Sequence, residues 1–261
     1  MDTKIKRLKN IIDNSKRIVI FSGAGLSTNS GIPDFRSANG IYNQKTKLNI
    51  RPEEIISHSF FVSNPKEFYE FYFDKMVYPK ALPNIAHKYF HELEEMGKDV
   101  SIVTQNIDNL HQMAGSKVVY ELHGSIIRNY CTKCHKFYSL NDIMNKRPIP
   151  YCDCGGIIKP DVVLYEEGLD DMVVEGALDK ISDADTMIIV GTSLTVYPAA
   201  GFIRYFRGSN LILINKSETS YDSYATVAIN DDICRVIEEL KSINKPFIVI
   251  LNTTHTDNPD T

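Results

Sequence analysis

The residues able to do chemistry in this chain sit in short polar runs, each placed directly behind an apolar one. The first, GAGLSTNSGIPDFRS (23–37), follows RIVIFS (17–22). A Gly-x-Gly pair behind a buried strand lets backbone amides approach a pyrophosphate at a helix N-terminus. Thr28 stands where the third glycine of the usual dinucleotide fingerprint belongs. The acidic residue normally found roughly 20 residues further on, to grip a ribose, is not evident. The loop continues instead through Gly31, Pro33, Asp34 and Arg36. Two readings fit. The continuation closes over a bound nucleotide, with Phe35 shielding it and Arg36 supplying charge, or it is an Asp34–Arg36 turn held by its own hydrogen bonds.

TQNID (104–108) offers two amides and a carboxylate behind a second apolar run. They face a ligand at the strand end, or Asn106 and Asp108 cap a helix starting near Asn109. LHG (122–124) puts His123 at the end of a third run, with Gly124 leaving room beside it. The other histidines have weaker contexts. His87 and His91 stand four apart without a third ligand and are expected to face solvent. His111 is expected to pack, and His58, His135 and His255 have no chemical context. GTS (191–193) and LINKS (213–217) again follow apolar runs, and Thr192 and Ser193 can donate to phosphate or ribose oxygens.

Four of the five cysteines cluster as Cys131-x2-Cys134 and Cys152-x-Cys154. Four thiolates at this spacing suit tetrahedral zinc, which such a site encloses completely, so its task is folding. Two unrelated cysteine pairs, or His135 or Asp153 replacing one ligand, are the alternatives. Gly155 and Gly156 can absorb the strain of the tight second half. Cys234 reads as a small apolar residue of a helix.

The elements that must position these residues alternate. Strand-like runs recur at 17–22, 99–105, 118–122, 186–192, 211–215 and 226–230, mostly continuous and β-branched, as in a sheet covered on both faces. Helical patterns separate them: 83–98, with Pro83 as its first helical residue and Gly97 at its end, then 170–181 and 233–240. The alternation predicts a doubly wound parallel α/β sheet. Residues 35–80 and 128–158 break the rhythm and are expected to build a smaller lobe. The run from Asn252 is expected to be a disordered tail, leaving residues 1–251 as one domain. Among 261 residues, 29 basic and 33 acidic side chains leave a net charge of −4, which gives no general attraction to nucleic acid or anionic membrane. No apolar stretch approaches the roughly 20 residues of a membrane span. No apolar core follows the basic N-terminus, so the expected compartment is the cytoplasm.

Taken in order, GAGLSTNSGIPDFRS, TQNIDNLH, ELHGS, the cysteine cluster, GTSLTVYPAA and LINKS resemble the bacterial-type sirtuins, the NAD-dependent protein lysine deacylases. The resemblance runs from about Leu8 to Leu240. It implies a Rossmann-like large lobe, a smaller zinc-binding and helical lobe, NAD as co-substrate and acyl-lysine proteins or peptides as partners. It implies cofactor contacts from Ala24, Thr28, Phe35 and Arg36. Gln105 and Asn106 would meet the nicotinamide ribose, Ile107 and Asp108 the carboxamide. Thr192, Ser193 and Asn215 would bind phosphate or ribose, and the backbone near Ile233 adenine. His123 would be the general base and Cys131, Cys134, Cys152 and Cys154 the zinc ligands. The implied reaction releases nicotinamide, transfers the acyl group to ADP-ribose and frees the lysine. A mono-ADP-ribosyltransferase on the same scaffold, or a non-enzymatic NAD- or zinc-binding module, are the competing readings.

Residues 159–170 would receive the substrate peptide by strand addition. The family's Phe-Gly-Glu is here Tyr165-Glu166-Glu167, which is expected to put a side chain in the peptide's path. Relatives preferring succinyl or malonyl groups carry Tyr-x-x-Arg after the first loop. Here no tyrosine of 38–80 has arginine three places on; Lys45 and Lys75 are the partial substitutes, and Val162–Tyr165 offer an apolar wall. Acetyl or longer apolar acyl groups are therefore the expected substrates.

Overall fold

A computed structural model describes residues 2–37, 40–43 and 50–243. Lys45, His255, the predicted tail from Asn252 and the last residues of the predicted 1–251 domain lie outside the described residues. The chain runs through strands β1 (Arg17–Ser22), β2 (Asp99–Thr104), β3 (Val119–Glu121), β4 (Gly124–Cys131), β5 (Phe137–Ser139), β6 (Ile158–Val162), β7 (Thr186–Val190), β8 (Asn210–Ile214) and β9 (Val227–Ile229). Its α-helices are α1 (Asp2–Asn14), α2 (Pro52–Ile55), α3 (His58–Ser63), α4 (Pro65–Lys75), α5 (Ile85–Glu95), α6 (Leu110–Met113), α7 (Leu140–Met144), α8 (Asp171–Asp183) and α9 (Ile233–Ser242).

Six strands form one parallel sheet in the order β3-β2-β1-β7-β8-β9. Alternate residues of each strand feed opposite faces, because side chains alternate along a strand. Ile18 and Ile20 of β1 join Ile102, Ile188 and Ile212 in a core closed by α1, α5 and α9. Val19 and Phe21 join Val103, Met187, Ile189 and Leu213 in the core beneath α8 and the 3₁₀ segment Ala199–Tyr205. Both faces are apolar, so the strands read as continuous apolar runs.

Caps set the helix starts. Asp170 accepts from Met172 and Val173 N–H, and Asp232 from Cys234 and Arg235 N–H. Helix α5 begins two residues beyond the predicted start: Ile85 is its first residue and Asn84 its cap, so Pro83 lies outside the helix. The Asn84 side chain accepts from Ala86 and His87 N–H. Its amide also donates to Leu26 O at 2.8 Å and Ser30 Oγ at 3.1 Å, fixing the first loop against α5.

Two segments, about 41–77 before α5 and 124–164 before α8, build the smaller lobe. Its three-stranded sheet, β5-β4-β6, packs on α2–α4 and α7 through Phe61, Phe68, Tyr69, Tyr72, Ile143 and Ile158. Tyr69 donates its hydroxyl to Ile158 O. Among the described residues no helix is long and apolar enough to cross a membrane.

Candidate active site

Strand order reverses between β1 and β7, and ligands of open α/β sheets bind at the carboxyl ends of strands flanking such a reversal. A cavity of ≈ 950 Å³ opens there, walled by the sheet loops on one side and by Ile41, Ile56, Met76 and Val162 of the smaller lobe on the other. Every non-metal site residue predicted from sequence lines it: Ala24, Thr28, Phe35, Arg36, Gln105, Asn106, Ile107, Asp108, His123, Thr192, Ser193, Asn215 and Ile233.

The first loop departs from the expected α-helix start. Ala24–Ser30 is a 3₁₀ helix, and Gly23 and Gly25 turn their amides to Val190 O at 3.1 Å and Gly191 O at 2.8 Å. A Cβ on Gly23 or Gly25 would stand 2.8 or 2.9 Å from the Gly191 oxygen. These glycines therefore let the β1 and β7 loops meet, and their amides are not available to a phosphate. The continuation combines both sequence readings. Asp34 Oδ1 accepts from Ser37 N–H at 2.8 Å, closing a turn, while Phe35 packs edge-on to Tyr42 at 5.3 Å and lines the cavity. The Arg36 guanidinium lies over the Tyr42 ring at 5.3 Å.

TQNID is tied inward. Buried Asn106 donates through Nδ2 to Gly23 O at 3.2 Å and Ser27 Oγ at 3.1 Å, so it braces the first loop and does not cap α6. Asp108 does meet α6, accepting from Leu110 N–H at 2.9 Å, and it also accepts from Ser27 Oγ at 2.6 Å. Burial pushes the Asp108 carboxyl up, and these two hydrogen bonds oppose the shift. Gln105 Nε2 donates to Thr192 Oγ1 at 3.1 Å, linking the β2 and β7 loops.

His123 stands beyond β3 with Nδ1 2.9 Å from Gln105 O. A carbonyl only accepts, so Nδ1 carries the proton and Nε2 keeps its lone pair. Burial lowers the His123 pKa below the ordinary imidazole value, more than the Gln105 bond raises it. Neutral imidazole with a free Nε2 is the form a general base needs.

Two other histidines differ from expectation. His87 is fully buried instead of solvent-facing, its ring 4.9 Å from His111. Burial pushes His87 down to about 4, so the pair is packed and neutral. Ser22 Oγ meets His111 Nε2 at 3.0 Å, in keeping with a packing role. His91 is half-buried beside Glu94 and Glu95.

The Sγ atoms of Cys131, Cys134, Cys152 and Cys154 all lie within 4.8 Å of one another. Cys131 and Cys154 are 3.4 Å apart, Cys134 and Cys152 3.5 Å. Tetrahedral zinc with Zn–S about 2.3 Å needs S···S near 3.8 Å, so the donor set fits the metal. Gly155 turns the short second half at φ 81°, and a Cβ on Gly156 would meet Cys131 Sγ at 2.7 Å. Asp153 points away to Lys136 at 3.0 Å, and His135 is not in the cluster.

In the segment after β6, Glu166 has φ 76°, the left-handed region that favours glycine and costs a side-chain-bearing residue about 1–2 kcal/mol. Its side chain is turned onto α3: Oε2 accepts from Ser59 N–H and Oε1 from Ser59 Oγ, both at 2.9 Å. Glu166 still lines the cavity, with its carboxylate held by Ser59. Tyr165 pairs by backbone with Ile56 and His58, and its hydroxyl meets that of Tyr42 at 2.9 Å. Glu167 accepts from Leu164 N–H at 2.9 Å, His58 Nδ1 at 2.8 Å and Lys159 Nζ at 3.0 Å. Burial raises the Glu167 pKa, but these partners outweigh it and hold the carboxyl below its ordinary value.

Some wall residues were not singled out from sequence. Lys216, Ser217 and Asp231 line the cavity beside Asn215, and Tyr197 and Tyr78 line it too. The position of Lys216 and Ser217 directly behind LIN was the available signal; nothing local marks Tyr78.

A family comparison matches the Sir2 family over residues 23–198. An "NAD-dependent protein deacetylase" of Clostridium perfringens is 61% identical over 239 residues, covering 91% of this chain and 98% of that relative. A solved Sir2 structure, of a variant with deacetylated p53 peptide and 3'-O-acetyl ADP ribose, superposes with TM-score 0.84 at 37% identity, covering 92% of this chain and 98% of the other. A Sir2Tm structure bound to a propionylated peptide gives TM-score 0.80 at 36% identity, covering 92% and 98%. With the glycine loop, TQNID, His123 and the cysteine cluster arranged as described, the chain belongs to the Sir2 family.

Proposed function

We propose that this protein removes acyl groups, acetyl first among them, from protein lysines at the expense of NAD, releasing nicotinamide and O-acyl-ADP-ribose. The observation that carries the reading is His123, held as a neutral imidazole with Nε2 free in the cavity shared by the glycine loop, TQNID and GTS. Its role is to take a ribose hydroxyl proton after the acyl oxygen has displaced nicotinamide. Asn106 and Asp108 hold the first loop over the cofactor by their bonds to Gly23 and Ser27. Phe35 closes the wall, excluding water from the reacting carbon. The four cysteines would hold zinc, which supplies folding free energy to the smaller lobe. The two lobes act as one catalytic domain. The cytoplasm is our reading of its place of action, in keeping with four cysteines grouped as metal ligands.

The test is His123→Ala. The variant is expected to keep NAD binding and its melting temperature while losing about 10²–10⁴-fold in deacetylation rate. Near-normal turnover in the folded variant would remove His123 from the mechanism.

A further inference from the structure

The turn Leu164–Glu167 carries a feature that the reaction does not require. Strand β6 is an edge of the small-lobe sheet, and beyond it Val163 N–H donates to His123 O at 3.0 Å, so the chain continues extended past the base. Among the described residues, Val163 C=O and Glu166 N–H have no partner. They are free backbone groups on the cavity wall, one just before the turn and one within it. Other groups of the turn are tied back: Tyr165 to Ile56 and His58, and Leu164 N–H to the Glu167 carboxylate. Glu166 completes this arrangement from a backbone conformation in which glycine would be at ease. Both its carboxylate oxygens are engaged by Ser59, so the side chain is anchored to α3.

We propose that Glu166 is a positioning residue for the acyl-lysine peptide: anchored to Ser59, it holds the Leu164–Glu167 turn, and with it the free Val163 C=O and Glu166 N–H, in the arrangement that receives a peptide strand before the substrate arrives. This deepens the deacylase reading and rests on it. Glycine here would permit the same turn without holding it. An anchored carboxylate removes that freedom, so less ordering is left to the binding step.

The experiment is steady-state kinetics of the full chain with NAD and an acetyl-lysine peptide, comparing wild type with E166G, E166Q and S59A. If wild type does not turn over, the functional reading fails; given turnover, the variants decide the positioning role. E166G is expected to raise the peptide KM roughly 3–10-fold, as for loss of a solvent-exposed charged hydrogen-bond pair. The kcat at saturating peptide and the KM for NAD are expected to hold. E166Q, which can still accept from Ser59, should recover most of the affinity, and S59A should fall between. A peptide KM for E166G equal to or below that of wild type would overturn the proposal, the latter by showing that the side chain obstructs. Parallel rises in both KM values would overturn it by showing general loosening. Should E166G fail to fold, E166Q and S59A give the same reading by rank order of peptide KM.

Discussion

One hydrogen bond decides what His123 can do. Gln105 O fixes the proton on Nδ1, and burial keeps the ring neutral through the neutral pH range. A base whose pKa is lowered is active above that value and is lost as pH falls through it. The acid limb of the kcat/KM profile is therefore expected below pH 6.5, the ordinary imidazole value. A limb centred above that pH, or one unchanged in His123→Ala, would contradict the assignment. His123 was legible in the sequence because it ends an apolar run between polar motifs. The buried state of His87 was not. Its four-residue spacing from His91 suggests an exposed helix face, and only the packing of α5 against His111 puts it inside.

At the scale of elements, the six sheet strands could be read because both faces are covered and the apolar runs are unbroken. The turn after β6 could not, since the direction of Glu166 is set by Ser59, 107 residues away. Helix α4 settles where the acyl-recognising pair of other relatives cannot be. Tyr69 and Tyr72 are fully buried in the small-lobe core, so neither reaches the cavity. Met76 and Tyr78 line it instead, with Val162, Val163 and Leu164. Lys75 also lines it, but pairs with Asp74 at 3.1 Å. An acyl carboxylate buried without a cation is costly. Matched peptides are therefore expected to show acetyl- and propionyl-lysine cleaved at least about 10-fold more efficiently than succinyl-lysine, from a desolvation difference exceeding 1.4 kcal/mol. Equal kcat/KM on the two classes would refute this.

The whole molecule depends on the two lobes meeting along one cleft. Arg128 of β4 ties them, pairing with Glu121 of β3 at 2.6 Å and Asp161 of β6 at 2.7 Å. The cysteine cluster closes the far end of the same small-lobe sheet, where Cys131 ends β4. Metal analysis of protein purified without chelator is expected to find one zinc per chain. Cys152→Ser should lower the melting temperature and expose the small-lobe core to proteolysis, because structural zinc contributes folding free energy directly. Absence of zinc, or an unchanged Cys152→Ser variant, would remove the metal from the account.

The central claim is that NAD is consumed to free an acylated lysine. It is tested most directly by incubating the protein with NAD and an acetyl-lysine peptide while following nicotinamide and peptide mass together. The account predicts that nicotinamide, deacetylated peptide and O-acetyl-ADP-ribose appear in equal amounts, and that none appears when either substrate is left out. Nicotinamide release with the peptide still acetylated, or with ADP-ribose attached to a protein, would contradict it.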